Sequence, residues 1–323
     1  MIDFINDAVP YIGLVICTYA LLSHRVCTTK RIGVFNFALF IAIYLLLALA
    51  DFTGFEPVVW TVIGRCMILI ITINIIIKNH AAYWRFLWSG KMSVKEIQRS
   101  LGVTADGIWA NQSQSALDSS KLKLDYSLDK MCYAFGGFTK SQVDGFNEIM
   151  AAINANQSAK NPLFAAYILA TVWHETAKTM QSVAEYGKGK TRKYGQWFTN
   201  SKGQKYGIRN SKGAAYLQSE YPHLYYGRGY CQLTWLDNYI KLGKMINVDL
   251  ANNPDLALEP KNAANILIAG MLTGAFTGMS LSRCIKTGET QEFVNARKII
   301  NGTDRDKLIA DYAVKFLDCL IAK

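Results

Sequence analysis

Two glutamates ten positions apart, Glu175 and Glu185, are the residues of this chain best suited to do chemistry. A carboxyl group that gives up a proton and a carboxylate that takes one from water work as a pair when they stand roughly 6.5–9.5 Å apart, leaving room for the water. One continuous helix would hold these two about 15 Å apart at its usual rise per residue. In AEYGKGK, however, Gly187 and Gly189 argue that a helix carrying Glu175 has given way to a loop by Glu185. Any mechanism that uses both carboxylates needs that break. His174 stands next to Glu175 and reads either as an orienting group or as a satisfied structural one.

The element that must position Glu175 begins at Asn161-Pro162, a capping residue followed by proline at the first helical position. Ala165, Ile168, Leu169 and Val172 mark one apolar face of it. From about Asp125 to Lys323 amphipathic stretches alternate with Gly, Asn and Ser-rich connections, and few runs alternate as strands do, so the region is expected to be mainly α-helical. Thr303-Asp304-Arg305-Asp306 has capping-box spacing and is expected to open a last helix with Leu308, Ile309, Tyr312, Ala313, Phe316, Leu317 and Leu320 inward.

Three runs carry a specific resemblance. AYILATVWHETAKTMQSVAEYGKG, YYGRGYCQLTWLDNYIKLG and ARKIINGTDR, in that order, resemble the family 19 chitinase and phage lysozyme domain. The resemblance implies a lysozyme-like helical fold and an inverting cleavage of β-1,4 glycosidic bonds. It places the proton-donating acid on Glu175, the water-activating base on Glu185, and a water-holding hydroxyl on Thr234. It further implies sugar contacts for Gln232, Asn238 and Tyr239, with Asn301 near the acetamido groups. The residue types agree, because amides and hydroxyls match sugar hydroxyl and N-acetyl partners. Tyr226 and Trp235 offer flat faces to sugar rings, or else pack in the wall of the domain. Arg228 is a further candidate for substrate binding, or else a brace for a carboxylate.

Ahead of this domain, SVKEIQRSLGVTADGIWANQSQSAL at 93–117 reads as a helix stopped at Gly102, an Asp106-Gly107 turn and a second short helix. It is similar to part of a helical peptidoglycan-binding module, and also reads as a plain helical linker. The first ninety residues differ in kind. Residues 32–50 are nineteen in a row without a charge, residues 58–77 contain only Arg65, and residues 8–22 form a shorter apolar stretch with Pro10, so three membrane spans are expected. Arg25, Lys30 and Arg31, then Lys78, Arg85 and Lys91, put those loops and the following domain on the cytoplasmic side. The layout resembles three-span phage holins. It implies a multi-pass protein of the host inner membrane, with membrane lipid and other copies of itself as partners and with Arg65 and Asn74 as contacts between spans. The expected division is thus a membrane segment over 1–90, a wall-binding-like module or linker over 91–122, and the family 19-like domain over 123–323.

From Ser93 onward the chain has twenty-eight basic and twenty acidic residues. That excess suits an anionic polymer, or is simply a solvated surface. No metal or cofactor is implied, since His24, His80, His174 and His223 form no i,i+4 pair and the seven cysteines show no ligand spacing. The function expected is hydrolysis of peptidoglycan glycan strands during host lysis, with no nucleic-acid partner. Three rivals stand beside it: a chitinase, a non-catalytic glycan binder on a membrane-permeabilising segment, and a peptidase using Cys231 with His174 or His223.

Overall fold

The computed structural model describes residues 90–323 of the chain. Gly90–Ser127 and Phe138–Lys323 form one compact unit; Leu128–Gly137, which contains a helix over Leu128–Phe135, is grouped apart from it. The unit is mainly helical, as expected.

Its centre is the helix Pro162–Glu175. The Asn161 side chain accepts from the backbone N–H of Leu163 at 2.9 Å, and Pro162 occupies the first turn. Burial is wider than the one apolar face read from the sequence: every residue from Pro162 to Trp173 except Phe164 is enclosed. Such a helix is surrounded by partners and not laid on a core. The chief partner is Asp306–Cys319, which also packs against Thr290–Ala296 and Gly90–Ser100. Phe146 of helix Lys140–Ala155 stacks on Trp173 with ring centroids 5.9 Å apart, and Phe316 and Phe138 complete the aromatic cluster.

The expected capping box before the last helix does not form. Arg305 is the residue at the helix start, in the left-handed region at φ 57°, and no side chain caps it. Of the residues expected inward, Ile309, Ala313, Phe316 and Leu317 are buried; Leu308 is exposed and Leu320 is buried in a strand. A capping box does form at Thr139, whose hydroxyl accepts from Gln142 N while the Gln142 side chain accepts from Thr139 N at 2.8 Å.

Residues 90–119 pack within the same unit as the later helices. Val94 and Ile97 are buried, and the Ser93 hydroxyl donates to Asp318 O at 2.6 Å. Gln98, buried, holds the Asp106-Gly107 turn by donating to Asp106 Oδ1 and Ile108 O and accepting from Gly107 N. Strands Leu124–Tyr126 (β1) and Leu320–Ala322 pair antiparallel, so segments far apart in sequence close on each other.

Strand pairing missed by the periodicity lies between Glu175 and the helix Leu236–Ile246. Val183–Ala184 (β2) pairs antiparallel with Arg228–Gly229, and a three-stranded meander runs Phe198–Thr199 (β3), Lys205–Ile208 (β4), Ala215–Leu217 (β5). Strands of two to four residues are too short to show an alternation. A second core, built on Tyr216, Tyr225, Leu233, Leu236, Tyr239 and Leu242, lies under this region.

The multi-pass inner-membrane assignment is corrected here. Among the described residues no helix is long and apolar enough to cross a membrane. The helices are short, and the most apolar of them is consumed in packing against its neighbours. The three apolar stretches at 8–22, 32–50 and 58–77, the lipid and self-association partners tied to them, and Arg65 and Asn74 lie outside the described residues.

Candidate active site

Glu175 ends its helix, and the chain then turns sharply. Ala177, Lys178 and Met180 have φ of 48°, 70° and 56°, a left-handed conformation that L-residues adopt at a cost. The helix Lys140–Ala155 holds them there. The Gln142 amide donates to Lys178 O at 2.9 Å, the Gln181 amide donates to Ser141 O at 2.7 Å, and a Cβ on Gly145 would lie 2.9 Å from that of Met180. The helix break that the two glutamates require is thus a packed turn.

The Glu175 carboxylate, about 20 % exposed, is anchored by an arginine: Arg297 Nη1 donates to Oε1 at 2.6 Å. Arg297 is itself buried, and its Nε donates to Asp304 O at 2.9 Å. One guanidinium therefore ties Glu175 to the 297–304 segment that carries Asn301, in the fork geometry that arginine offers. Asn301 is exposed, its backbone N–H bonded to Arg297 O. Oε2 of Glu175 accepts no hydrogen bond among the described residues.

Glu185 is held differently. Its N–H donates to Gly227 O at 2.7 Å, continuing the β2 pairing, and its Oε2 accepts from Gly227 N at 3.0 Å. Its Oε1 accepts from the Tyr194 hydroxyl at 2.9 Å. Burial, together with the bond to that carboxylate, pushes Tyr194 up to about 12. A Cβ on Gly227 would crowd the end of the Gln232 side chain, 2.7 Å from its Oε1, and stand 3.2 Å from Glu185 Oε2.

The segment 227–235 is a folded turn beside Glu185. Arg228 and Leu233 bridge antiparallel, and Gly229, Gln232 and Trp235 have φ of 83°, 52° and 70°. Gln232 spends its amide nitrogen on Val183 O and Gly229 O, at 3.0 and 3.1 Å, and so clasps β2 to the turn. The Asn238 amide donates to Thr234 O at 2.9 Å. Thr234 and Trp235 are half-buried, and the Trp235 ring meets Tyr194 edge-on with centroids 5.1 Å apart. His174 is half-buried beside Glu175.

Three expected sugar contacts sit inside the protein. Tyr239 is fully buried, donating its hydroxyl to Tyr226 O at 2.8 Å and accepting from Arg228 at 3.1 Å. Arg228 is buried, lies 3.6 Å over the Tyr226 ring, and donates to Asp255 Oδ1 at 2.8 Å. Tyr226 is covered by that stacking. These three brace the turn from beneath; for Tyr239 and Arg228 direct contact with a sugar is corrected, because both are buried with their polar side-chain atoms paired within the fold. Arg228 does brace a carboxylate, although Asp255 is largely exposed and not buried.

Cys231 is half-buried and free, and burial, with the Glu175 charge adding to it, pushes its thiol up to about 12. A thiol that stays protonated is a poor nucleophile. Among the described residues no group of three His, Cys, Asp or Glu is placed to hold a metal ion.

Arg297, Tyr194 and Gly227 were not singled out from the sequence. Arg297 lay inside the third motif, where its burial could not be read; Tyr194 had no motif around it.

Residues 123–268 match the glycoside hydrolase family 19 model, described as chitinase class I. Endochitinase A2 of Pisum sativum is 45% identical over 60 residues, 16% of this chain and 18% of its own length. Endochitinase 1 of Theobroma cacao is 62% identical over 37 residues, 11% of this chain and 12% of its own. The chain thus spans less than a fifth of the curated relatives it matches. Among solved structures, chitinase C from Streptomyces griseus is 21% identical with a TM-score of 0.38, covering 59% of this chain and 73% of that one. A bacterial family 19 chitinase is 19% identical with a TM-score of 0.39, covering 59% and 94%. Residues 123–268 are accordingly a domain of glycoside hydrolase family 19.

Proposed function

We propose that this protein hydrolyses the β-1,4 glycosidic bonds of bacterial wall glycan with inversion, as the lytic enzyme of a wall-degrading system. Glu175 gives its proton to the departing glycosidic oxygen as the bond to the anomeric carbon breaks. Glu185 takes a proton from the water whose oxygen forms the new bond on the opposite face. Thr234 positions that water, and Gln232, Trp235, Asn238, His174 and Asn301 line the path of the strand. The observation that carries this reading is the independent anchoring of the two carboxylates, Glu175 by Arg297 and Glu185 by Tyr194 and Gly227 N. The resemblance of residues 93–117 to a wall-binding module supports wall glycan as the substrate. The domain division at about residue 122 belongs to this proposal too.

Chitin is the second reading, favoured by the names of the curated relatives, both endochitinases. Incubating the full chain with purified sacculi and with chitin, followed by mass spectrometry of the fragments, tests both. New reducing ends with an initially inverted anomeric configuration are expected; new amines, or a retained configuration, would refute the mechanism.

A further inference from the structure

The rim of the site beyond Glu185 carries a charge that acid–base cleavage does not use. Between Glu185 and Glu220 the chain has eight lysine and arginine residues and no aspartate or glutamate. Four of them, Lys188, Lys190, Arg192 and Lys193, fall within six positions; all four are exposed, and among the described residues none is ion-paired. Their backbone is wound into a fixed turn. Lys188 N donates to Glu185 O at 2.9 Å, Arg192 N to Gly189 O at 2.8 Å, and the Gln196 amide to Lys190 O at 2.6 Å. A Cβ on Gly189 would stand 2.8 Å from the Tyr194 ring, the same tyrosine that holds Glu185. The turn therefore starts at one carboxylate of the site and is locked against that carboxylate's own partner.

Four neighbouring unpaired cations repel one another, and a neutral polymer offers them nothing in return. Chitin is uncharged. Wall glycan carries a peptide with free carboxylates on every second sugar. We propose that the Lys188–Lys193 turn is a cationic rim that binds these peptide carboxylates and makes the site prefer an anionic glycan strand to a neutral one. This rests on the glycosidase reading of Glu175 and Glu185.

The test uses the full chain, sacculi from a Gram-negative bacterium, which lack teichoic acid phosphate, the same sacculi with carboxyls converted to amides, and a neutral N-acetylglucosamine hexamer. Replacing the four cations together (Lys188→Gln, Lys190→Gln, Arg192→Gln, Lys193→Gln) should raise KM on sacculi about tenfold and leave kcat/KM on the hexamer within about twofold, as expected for exposed charges that steer without touching the reacting atoms. Amidating the sacculi should cost the unaltered chain the same factor, a result that does not depend on whether the variant folds. An equal loss on the hexamer, or no loss on amidated sacculi, would overturn the proposal. Co-sedimentation with sacculi reads the rim without catalysis. If the full chain cuts none of the substrates, the hydrolase reading fails by itself. Sedimentation that still weakens on amidation then supports the rim; sedimentation indifferent to it refutes the rim.

Discussion

The two carboxylates of the site are held by opposite strategies. Glu175 rides the end of a helix enclosed on all sides, and a buried arginine takes one of its oxygens. Glu185 belongs to no long element; a two-residue strand, a backbone N–H and a tyrosine hydroxyl place it, and three left-handed residues shape the turn opposite. Side-chain packing fixes the first, so its position depends on apolar volume spread over several helices. Hydrogen bonds and backbone shape fix the second, so single atoms matter. Damage to the first side should show in stability as much as in rate, and damage to the second mainly in rate.

The largest effect is expected for Glu175→Gln, which keeps the shape and removes the transferable proton: turnover on sacculi should fall by roughly 10²–10⁴-fold. Circular dichroism should be unchanged, and clearing of stripped cells at the original rate would remove Glu175 from the mechanism. Next comes Arg297→Met. It should cost roughly 2–3 kcal/mol in urea unfolding, less than a fully buried pair because Glu175 keeps some solvent, and lower turnover as well. In a double-mutant cycle with Glu175→Gln the two should be non-additive; strict additivity in stability would mean that the ion pair holds nothing.

On the other side, Gly227→Ala should lower turnover by about 10–100-fold with almost no change in melting temperature, because the added methyl displaces Gln232 and Glu185 while the core stays intact. A stability loss matching the rate loss would erase the contrast between the two carboxylates. Tyr194→Phe should cost roughly tenfold in turnover through the lost bond to Glu185. The Tyr194 hydroxyl is raised from its ordinary 10.0 to about 12, so its contribution to stability is fully present below pH 10 and is lost as pH rises through 12. The difference in urea midpoint between the unaltered chain and Tyr194→Phe should therefore be constant up to pH 10 and change beyond it. A difference that varies between pH 6 and 9 would assign the effect to another group. The smallest effect belongs to Cys231→Ala, expected to keep activity within about twofold, since its thiol stays protonated until about pH 12. Rapid alkylation of Cys231 at pH 8 with loss of activity would revive the peptidase alternative.

Local signals account for what could be read directly. Asn161-Pro162 announced the start of the central helix, and Gly187 and Gly189 announced that Glu185 lies beyond its end. Asp106-Gly107 announced its turn. Each depends on a few neighbouring residues whose conformational preferences survive in any fold. The spacing at Thr303–Asp306 shows where this fails. Capping needs a particular backbone at the helix start; here Arg305 takes a left-handed conformation while Arg297 binds Asp304 O, so the box is not available.

By itself the sequence determined the mainly helical class from about Asp125 onward, the start of the helix bearing Glu175, and that Glu185 lies beyond its end, because periodicity, caps and glycine breaks are local. Tertiary structure alone decided which groups hold those glutamates and which motif residues turn inward. Arg297 lies more than a hundred positions from Glu175, and Tyr239 and Arg228 pair with each other beneath the turn that the motif builds. Burial and long-range pairing belong to the assembled chain, and neither has a local trace.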